Sequence, residues 1–371
     1  MAAEAASGWV AGIVAHDDYD DLPACLASLA AQSLPPAAVL VTDTGVDRER
    51  LAAVRPPAGL VTHVERRENR GYAGGANRVL EWAAGVRPAP AYVLVLNADV
   101  ELDPRFAELL LARLDREPSV ALASGKLLRP GRTRIDSAGI TLPRHRRPRD
   151  RGSEQPDRGQ FDRAERVFGV SGAAMMIRRA ALPDLALDGE VFDEDFFAYH
   201  EDTDLAWRAH LLGWEVLYLP EAVAVHRRGW QRTGRRRVPA FVRRHSFANH
   251  YLQIAKNERG RDLLRHLPVL LAWEALRLGH ALVRDPAVLP GYALALRLLP
   301  RALRKRRVLW ARVRCPERAT APCALARVHE AAQAAAPAER SGGPPAGTAE
   351  APERDGRPGS RWSSGGALPL P

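Results

Sequence analysis

The chain has 371 residues, of which 46% are hydrophobic, and this is enough for one large domain with appendages or for two domains. Lysine and arginine exceed aspartate and glutamate by 54 to 44, so the net charge is +10, which favours an anionic partner such as nucleic acid, acidic lipid or a phosphorylated small molecule. Three scattered cysteines argue against a disulfide framework and for a reducing, cytosolic setting, and neither a signal-peptide pattern nor an uninterrupted run of 18 apolar residues is seen.

Strand-like and helix-like segments alternate in the first hundred residues. Predicted strands cover residues 9–15, 38–42, 60–64 and 91–96, and predicted helices cover residues 20–32 and 74–84. This rhythm is typical of a parallel sheet with helices on both faces, where ligands bind beyond the carboxyl ends of the strands. Those ends carry His16-Asp17, Asp43, Glu65 and Asn97-Ala98-Asp99, so the predicted ligand site gathers carboxylates.

The rest of the chain divides by composition. A helix is predicted at 104–117 and a strand at 120–124, followed by an Arg-, Gly- and Pro-rich loop or small hairpin over 129–160 and by regular structure from 167 to 225. We predict an α/β domain over 1–237, a basic helical region over 238–315 and a disordered tail over 316–371.

Asn97-Ala98-Asp99 directly follows a very apolar predicted strand. Side chains at i and i+2 of an extended segment point the same way, so this pair is suited to hold one Mg²⁺ or Mn²⁺. A strand-to-turn cap explains the same pattern, and from the residues alone the two interpretations are evenly balanced.

Two further segments contain candidate site residues. Glycines between Glu68 and Asn77 lead into a helix, which suits a close approach to an anion or, equally, an ordinary flexible turn. Between Phe192 and Arg208, acids alternate with aromatic residues. Here Asp204 fits a helix-capping role, whereas Asp202 is the better candidate for a base that accepts a proton from a hydroxyl group.

His226 follows a strand-like run and precedes an Arg-rich loop that extends to Arg237. Guanidinium groups pair well with phosphate oxygens, so this loop is suited to cover a diphosphate, although a solvated basic loop has the same composition. An isolated histidine is more often a satisfied polar residue than a ligand.

Taken in order, these segments resemble the family 2 glycosyltransferases, in particular rhamnosyltransferase-like bacterial members that build cell-surface glycans. The matching pieces are residues 10–15, 39–43, 68–77, 93–99, 170–179, 192–197, 201–208, 213–216 and 225–226. The resemblance covers residues 8 to 310 or so. It implies a GT-A fold, which is a Rossmann-like mixed sheet with helices on both faces. It also implies an inverting, metal-dependent transfer from a UDP- or dTDP-sugar to a lipid-linked or polysaccharide acceptor, and no role for nucleic acid.

The resemblance also implies residue roles on the donor side. Asp43 would hydrogen-bond the pyrimidine base of the donor, and Asn69, Arg70 and Gly71 would line the nucleotide site. Asn97 would belong to the same site, near the metal-binding Asp99.

On the reacting side, the resemblance makes Asp99 the ligand of Mg²⁺ or Mn²⁺, with His226 as a further ligand. Asp202 would be the general base, and Glu201 would help to position the acceptor. The metal and the loop arginines would neutralise the leaving nucleoside diphosphate, and one in-line displacement would invert the anomeric centre.

The chain departs from the family pattern at three places, one of which is Ala76, where many relatives have Asn. The usual Asp-x-Asp is Asn97-Ala98-Asp99 here, which leaves fewer negative charges for the metal. The usual Asp-Asn-x-Ser after the second strand is replaced by Asp43-Thr44-Gly45, which puts the neighbours of the base contact in question.

Three other interpretations compete with a glycosyltransferase. A sugar nucleotidyltransferase would carry a Gly-rich, basic loop after the first strand, where this chain has His16 and four acids up to Asp21. A basic nucleic-acid-binding protein is compatible with the charge, but no recognised module is present. An inactive glycosyltransferase-like binding module is compatible with Asn97.

The basic helical region alternates apolar faces with arginines between residues 261 and 314. Such helices either lie in a membrane interface, drawn by anionic lipid, or pack as a cap on the catalytic domain. The first alternative predicts a cytoplasmic protein held peripherally at the inner face of the cell membrane.

Overall fold

A ten-stranded mixed sheet organises the part of the chain that the computed structural model describes, which is residues 8–228 and 238–319. The strands are β1 (Trp9–Ala15), β2 (Val39–Asp43), β3 (Thr62–Arg66), β4 (Tyr92–Asn97), β5 (Val100–Leu102), β6 (Val120–Leu128), β7 (Ile135–Ser137), β8 (Ile140–Thr141), β9 (Arg149–Asp150), β10 (Glu165–Arg166), β11 (Ala174–Arg178) and β12 (Glu215–His226). The helices are α1 (Leu22–Ala30), α2 (Arg48–Ala53), α3 (Gly71–Gly85), α4 (Phe106–Arg116), α5 (Leu182–Leu185), α6 (Glu201–Leu211), α7 (Ala240–Asn257), α8 (Gly260–Arg284) and α9 (Pro290–Trp310).

The N-terminal half of the sheet is parallel, as predicted, in the order β3-β2-β1-β4. β1, β2 and β4 are buried on both faces, so they read as nearly continuous apolar runs, whereas the edge strand β3 is largely exposed. The register pairs Ala15 with Asp43 and Val14 with Asn97. The polar residues that end these strands therefore lie along one edge of the sheet.

The other half is mostly antiparallel. β11 lies between β4 and β6 and runs against both, and β12 runs parallel to β6. The carboxyl end of β12 pairs with β6 along one edge and with the short strand β5 along the other. This confirms the predicted mixed sheet, and it brings the end of β12 to the turn that follows β4.

Helices cover both faces of the sheet, which also confirms the prediction. One face packs on α1 and α4 through side chains such as Leu26 and Phe106. The other packs on α3 and α6 through Val79 and the fully buried Trp207. The site is therefore built on the rigid end of a well-packed sheet.

For residues 129–160 the sequence predicted either an irregular loop or a small hairpin excursion, and the structure shows the hairpin excursion. β7 adds to the main sheet beside β6, and β8 and β9 form a separate two-stranded sheet. This excursion carries Asp136 and Asp150 towards the end of β12, and both take part in the site described below.

The C-terminal helices pack on the acidic and aromatic segment through buried ion pairs. Asp193 lies between the ammonium groups of Lys256 on α7 and Lys305 on α9. Lys256 also lies 2.9 Å from Asp204, which accepts a hydrogen bond from Arg208 at 2.9 Å. Asp193 and Asp204 thus neutralise lysines on helices that come tens of residues later in the chain. Asp204 lies in the first turn of α6, as predicted, but its partners are side chains.

We expect Lys256→Met to destabilise the fold by about 3 kcal/mol, since removing one partner of a buried ion pair leaves the other buried charge uncompensated. The control is Arg105→Met, which removes the exposed partner of Glu108 and should leave the unfolding midpoint unchanged, because an exposed ion pair contributes little to stability. Denaturant unfolding monitored by tryptophan fluorescence measures both. Equal midpoints for the two variants would show that the ion-pair cluster does not hold the helices.

Two sequence predictions fall largely outside the described residues. The Arg-rich loop is described only at Arg227 and Arg228, and the tail only at Pro316–Ala319. That last segment forms a 3₁₀ turn whose Arg318 donates to the carbonyl of Gly213 at 3.1 Å, so order extends a few residues beyond the predicted boundary. In residues 8–228 and 238–319, no helix combines the length and the apolar character needed to cross a bilayer.

Candidate functional site

The imidazole of His226 joins two carboxylates at the end of the sheet. His226 is the last residue of β12 and pairs in register with Val100 of β5, which places its ring beside the turn that carries Asp99. Its Nε2 lies 3.2 Å from Oδ1 of Asp99, and its Nδ1 lies 2.7 Å from Oδ2 of Asp136. The structure thus brings together Asp99 and His226, as predicted, and adds Asp136.

Asp136 was missed by the sequence analysis. It lies on β7, inside the Arg-rich excursion, and its carboxylate is completely buried. Oδ1 lies 2.9 Å from Nε of Arg129 and 3.5 Å from Nε of Arg228. One aspartate among arginines in an irregular segment carries no distinguishing signal, because only the pairing of β6 with β7 brings it to the histidine.

The electrostatics of this cluster are dominated by the pairing of opposite charges. Burial alone would lower the pKa of His226, but the Asp99 and Asp136 carboxylates outweigh it and raise that pKa to about 9. Burial alone would raise the pKa of Asp99, but the imidazolium of His226 outweighs it and the pKa is lowered. The two groups hold opposite charges at neutral pH when nothing lies between them.

The same residues fit a divalent metal ion. Asp136 accepts the hydrogen of Nδ1, which leaves Nε2 of a neutral imidazole and the Asp99 carboxylate facing one another. A carboxylate that orients a ligating histidine in this way is the common outer-shell arrangement of metal sites. Over residues 8–228 and 238–319, no group of three or more His, Cys, Asp or Glu side chains has the spacing of a complete metal cage. The remaining ligands would therefore be waters and substrate phosphates, as is usual for Mg²⁺.

We expect Asp136→Asn to weaken Mn²⁺ binding by about 10- to 100-fold, because the amide keeps the size of the side chain but loses the charge that orients His226. The control is Asp157→Asn, which removes the same charge beside Lys126. Titration of Mn²⁺ in the presence of a nucleoside diphosphate measures both. Unchanged affinity in the Asp136 variant would exclude His226 as an oriented ligand.

Two other aspartates make the edge around Asp99 acidic. Burial, followed by the Asp99 charge, raises the pKa of Asp18 to about 7. The same two causes raise the pKa of Asp21. Asn97, predicted to accompany Asp99, ends β4 at the same edge and is partly buried. This concentration of negative charge favours a cation at the carboxyl end of the sheet.

A cavity of about 220 Å³ lies next to this cluster. It is bounded by the β8–β9 hairpin and by the first turns of α6 and α7, and it is lined by Arg147, Arg149, Asp150, Tyr199, Glu201, Asp202, Arg228 and Arg243, among others. Arg228 joins the cavity to the cluster, because its guanidinium lies 2.9 Å from Asp150 and 3.5 Å from Asp136.

Asp202 and Glu201, the predicted catalytic pair, both line this cavity. Asp202 accepts hydrogen bonds from the backbone N–H of Gly172 at 3.1 Å and of Thr203 at 2.6 Å, and burial raises its pKa. Glu201 is buried, and burial together with the Asp202 charge raises its pKa well above the usual range. Asp202 therefore has a fixed orientation and the raised basicity that suits proton transfer near neutral pH.

The structure places Asp43 differently from what the donor-base prediction requires. Its carboxylate has no exposed surface. Oδ1 accepts from the Tyr19 hydroxyl at 3.1 Å and from the Gly45 N–H at 3.2 Å, and Nε of Arg66 lies 3.3 Å from Oδ2. In this conformation, a base would contact Asp43 only after Tyr19 or Arg66 had moved.

Asn69, Arg70 and Gly71 lie at the N-terminus of α3. The side chain of Asn69 accepts from the Gly71 N–H at 2.9 Å, and Arg70 pairs with Glu194 at 2.7 Å. Gly71 has a φ of +73°, and a Cβ at this position would lie 2.0 Å from the carbonyl oxygen of Phe197, so only glycine fits. The glycine-rich segment therefore packs closely against Phe197, two residues before Tyr199, which lines the cavity.

Comparison with known proteins identifies a matching family and relatives of similar sequence. The model of the family described as "Glycosyl transferase family 2" matches residues 11–185. The N-acetylglucosaminyl-diphospho-decaprenol L-rhamnosyltransferase of Mycobacterium tuberculosis is 30% identical over 231 residues, which cover 57% of this chain and 72% of that protein.

Solved structures share the fold. GalNAc-T7 with UDP, GalNAc and Mn²⁺ superposes with a TM-score of 0.52 at 14% identity over 68% of this chain, which spans only 48% of that protein. Residues 1–349 of S. aureus TarS in complex with UDP superpose with a TM-score of 0.51 at 15% identity, covering 90% of this chain and 93% of that one.

Proposed function

Because this chain belongs to the family 2 glycosyltransferases, we propose that it transfers a sugar, with inversion, from a nucleoside diphosphate to an acceptor in cell-envelope glycan synthesis. The mycobacterial relative is named as an L-rhamnosyltransferase for a decaprenol-linked acceptor. We propose rhamnose as the sugar, a UDP or dTDP carrier, and a lipid-linked glycan or a polysaccharide as the acceptor.

One observation supports this function most strongly. A continuous series of ionic contacts runs from Asp99 through His226, Asp136 and Arg228 to Asp150, at distances between 2.7 and 3.5 Å. It connects the candidate metal position to the cavity that contains the candidate base. Donor activation and acceptor deprotonation have to occur on either side of one anomeric carbon, so the two sites must adjoin.

Asp99 and His226 would hold the Mg²⁺ or Mn²⁺ at the end of the sheet. When bound, such an ion neutralises the diphosphate that leaves the sugar. GalNAc-T7, which has this fold, was crystallised with UDP and Mn²⁺. The chain's own contribution is the orientation of His226 by Asp136 and the partly buried guanidinium of Arg228 beside them.

Asp202 would accept the proton of the acceptor hydroxyl at a carboxylate oxygen as that hydroxyl attacks the anomeric carbon. The hydrogen bonds from Gly172 and Thr203 hold the carboxylate in place, so it needs no reorganisation during the reaction. A single displacement with one base inverts the configuration and requires no carboxylate nucleophile. Glu201, buried beside it, would position the acceptor.

The cavity suits an acceptor that carries phosphate. Arg147, Arg149, Arg228 and Arg243 all line it, and guanidinium groups bind phosphate oxygens in a forked geometry. The diphosphate of a polyprenyl-linked glycan is such a group. We propose that residues 1–237 form the catalytic domain and that the helices of 238–315 hold it at the cytoplasmic face of a membrane.

Release of nucleoside diphosphate from a panel of UDP-, dTDP- and GDP-sugars, with Mg²⁺, Mn²⁺ or EDTA, tests this function. We expect slow hydrolysis of one uridine or thymidine donor, abolished by EDTA. The absence of turnover with every donor, together with a lack of metal-dependent binding of UDP or dTDP, would leave an inactive binding module as the better account.

A further inference from the structure

Helix α8 exposes an unusual amount of apolar surface. Within residues 8–228 and 238–319, eight of the fourteen exposed large hydrophobic side chains lie on this one helix. They are Leu264, Leu267, Val269, Leu271, Leu276, Leu278, Leu282 and Val283. Leu276 is 68% exposed and Val283 is 78% exposed. Scattered exposed leucines are ordinary, but a concentration of this kind marks an interaction surface.

These side chains form one continuous face. Leu264, Leu271, Leu278 and Leu282 recur at intervals of seven, seven and four residues, which places them on one side of a helix. Val269, Leu276 and Val283 recur at intervals of seven in a second row roughly 140° further round the helix, and the exposed Pro268, Ala272 and Gly279 lie between the two rows. The face therefore extends along nearly the whole of α8.

Two polar side chains in the middle of α8, Glu274 and Arg277, face the protein instead. Glu274 accepts hydrogen bonds from the hydroxyl groups of Tyr251 on α7 and Tyr292 on α9. The guanidinium of Arg277 lies 4.3 Å from the ring centre of Phe247. This is the reverse of a helix that caps a water-soluble domain, where the apolar side packs inward. The sequence pattern alone left that alternative open.

Basic residues flank the apolar face at both ends. Arg261 and Arg265 near the start of α8 and Arg284 at its end are exposed. The neighbouring acids are neutralised or hidden, because Asp285 pairs with Arg243 at 2.7 Å and Asp262 is buried. An apolar helix face with cationic ends is the pattern of helices that lie in the interface of an anionic membrane.

We propose that α8 lies in the surface of an anionic lipid bilayer, with its leucine and valine face among the acyl chains and its terminal arginines at the headgroups. A second copy of this chain fits less well. In a two-fold dimer through antiparallel α8 helices, the arginines at the start of one helix would face Arg284 of the other, and like charges would oppose each other. The length and composition of α8 do not allow it to cross the bilayer.

This placement brings the membrane close to the catalytic cavity. The ring of His145 stacks on Trp273 of α8 at 4.2 Å, and Arg146 hydrogen-bonds His266 of α8 at 3.2 Å. The residues that follow directly, 147–150, line the cavity. This step rests on the proposed function, because it explains how a lipid-linked acceptor reaches Asp202 without leaving the bilayer.

Flotation of the full chain with vesicles tests the proposal, using phosphatidylcholine alone and phosphatidylcholine mixed equally with phosphatidylglycerol. We expect binding to the anionic vesicles only, and at least about tenfold weaker binding by Leu271→Gln/Leu276→Gln, because each exchange removes apolar surface from the lipid. The matched control is Val46→Gln, whose parent side chain is 64% exposed outside α8. It should bind as the wild type does.

Three outcomes would overturn the proposal. The wild type does not bind anionic vesicles; the α8 variant binds as tightly as the wild type; or the wild type is a dimer that the α8 exchanges convert to a monomer without any vesicle binding. Both exchanged side chains are exposed, and equal unfolding midpoints check that the fold is intact. The assay contains no donor or acceptor, so binding without donor turnover would refute the proposed function and leave this inference standing.

Discussion

The Asp202→Asn variant is expected to lose about three orders of magnitude in kcat, within the range that a positioned general base contributes. The amide can still accept the hydrogen bond from the Gly172 N–H, so the local geometry is kept. It cannot take a proton from the acceptor. The measurement is the rate of sugar transfer at saturating donor and acceptor. We expect KM for the donor to be unchanged, because the proposed role of Asp202 is at the acceptor hydroxyl and not at the donor diphosphate.

The pH dependence adds a second readout for Asp202. Its pKa is raised by burial, and the deprotonated form is the active one, so wild-type kcat falls as the pH falls through that raised pKa. The variant should lack this acidic limb. Asp20→Asn, which alters an exposed carboxylate, serves as the control. A variant that retained wild-type kcat would assign the base to another residue.

Asp99→Ala is expected to reduce donor turnover by about 10³-fold at any Mn²⁺ concentration, since an electrostatic contact to the leaving group contributes on this scale. Of the two candidate metal ligands, Asp99 is the one with a permanent charge. His226 and Asp136 remain paired in the variant, so the end of β12 keeps its anchor.

The control for this prediction is Asp103→Ala, four residues along the chain. Asp103 pairs with Arg132 at the surface and does not line the cavity that contains Asp202. It should retain wild-type turnover. If Asp99→Ala kept its metal-dependent activity, the metal would have to lie elsewhere, and the role assigned to His226 would fail with it.

The core of the fold could be predicted because its signals are local. Residues 9–15 form a buried strand that contains no polar side chain apart from the indole of Trp9, and the predicted strand coincides with β1. The short helix α2 was missed, since its six residues bury no side chain and carry no apolar periodicity. The strand β5 was missed because three residues are too few to show alternation.

The site could be predicted only in part. Asp99, His226 and Asp202 were predicted from the ordered series of motifs, and the structure places Asp99 beside His226 and Asp202 in the neighbouring cavity. Asp136 and Asp150 were not predicted, since their partners lie about 80 to 90 residues away and the contacts depend on strand pairing. From the sequence no role was assigned to Asp193, which neutralises lysines of α7 and α9 that no local pattern connects to it.

The family assignment decides among the alternatives that composition left open. The positive charge suited a nucleic-acid-binding protein, but many of the arginines form internal ion pairs, such as Arg146 with Glu258 and Arg208 with Asp204, both completely buried. The charge count therefore overstates the basic surface. The exposed arginines at the ends of α8 are the ones that the proposed membrane contact uses.

The central claim is that Asp99 and His226 bind the divalent ion that holds the donor diphosphate. Electron paramagnetic resonance of Mn²⁺ tests it most directly, by counting bound ions as the wild type, Asp99→Ala and His226→Gln are titrated with UDP or dTDP present. This account predicts one nucleotide-dependent Mn²⁺ per wild-type chain, none in Asp99→Ala and weakened binding in His226→Gln. Wild-type Mn²⁺ affinity in both variants would contradict it.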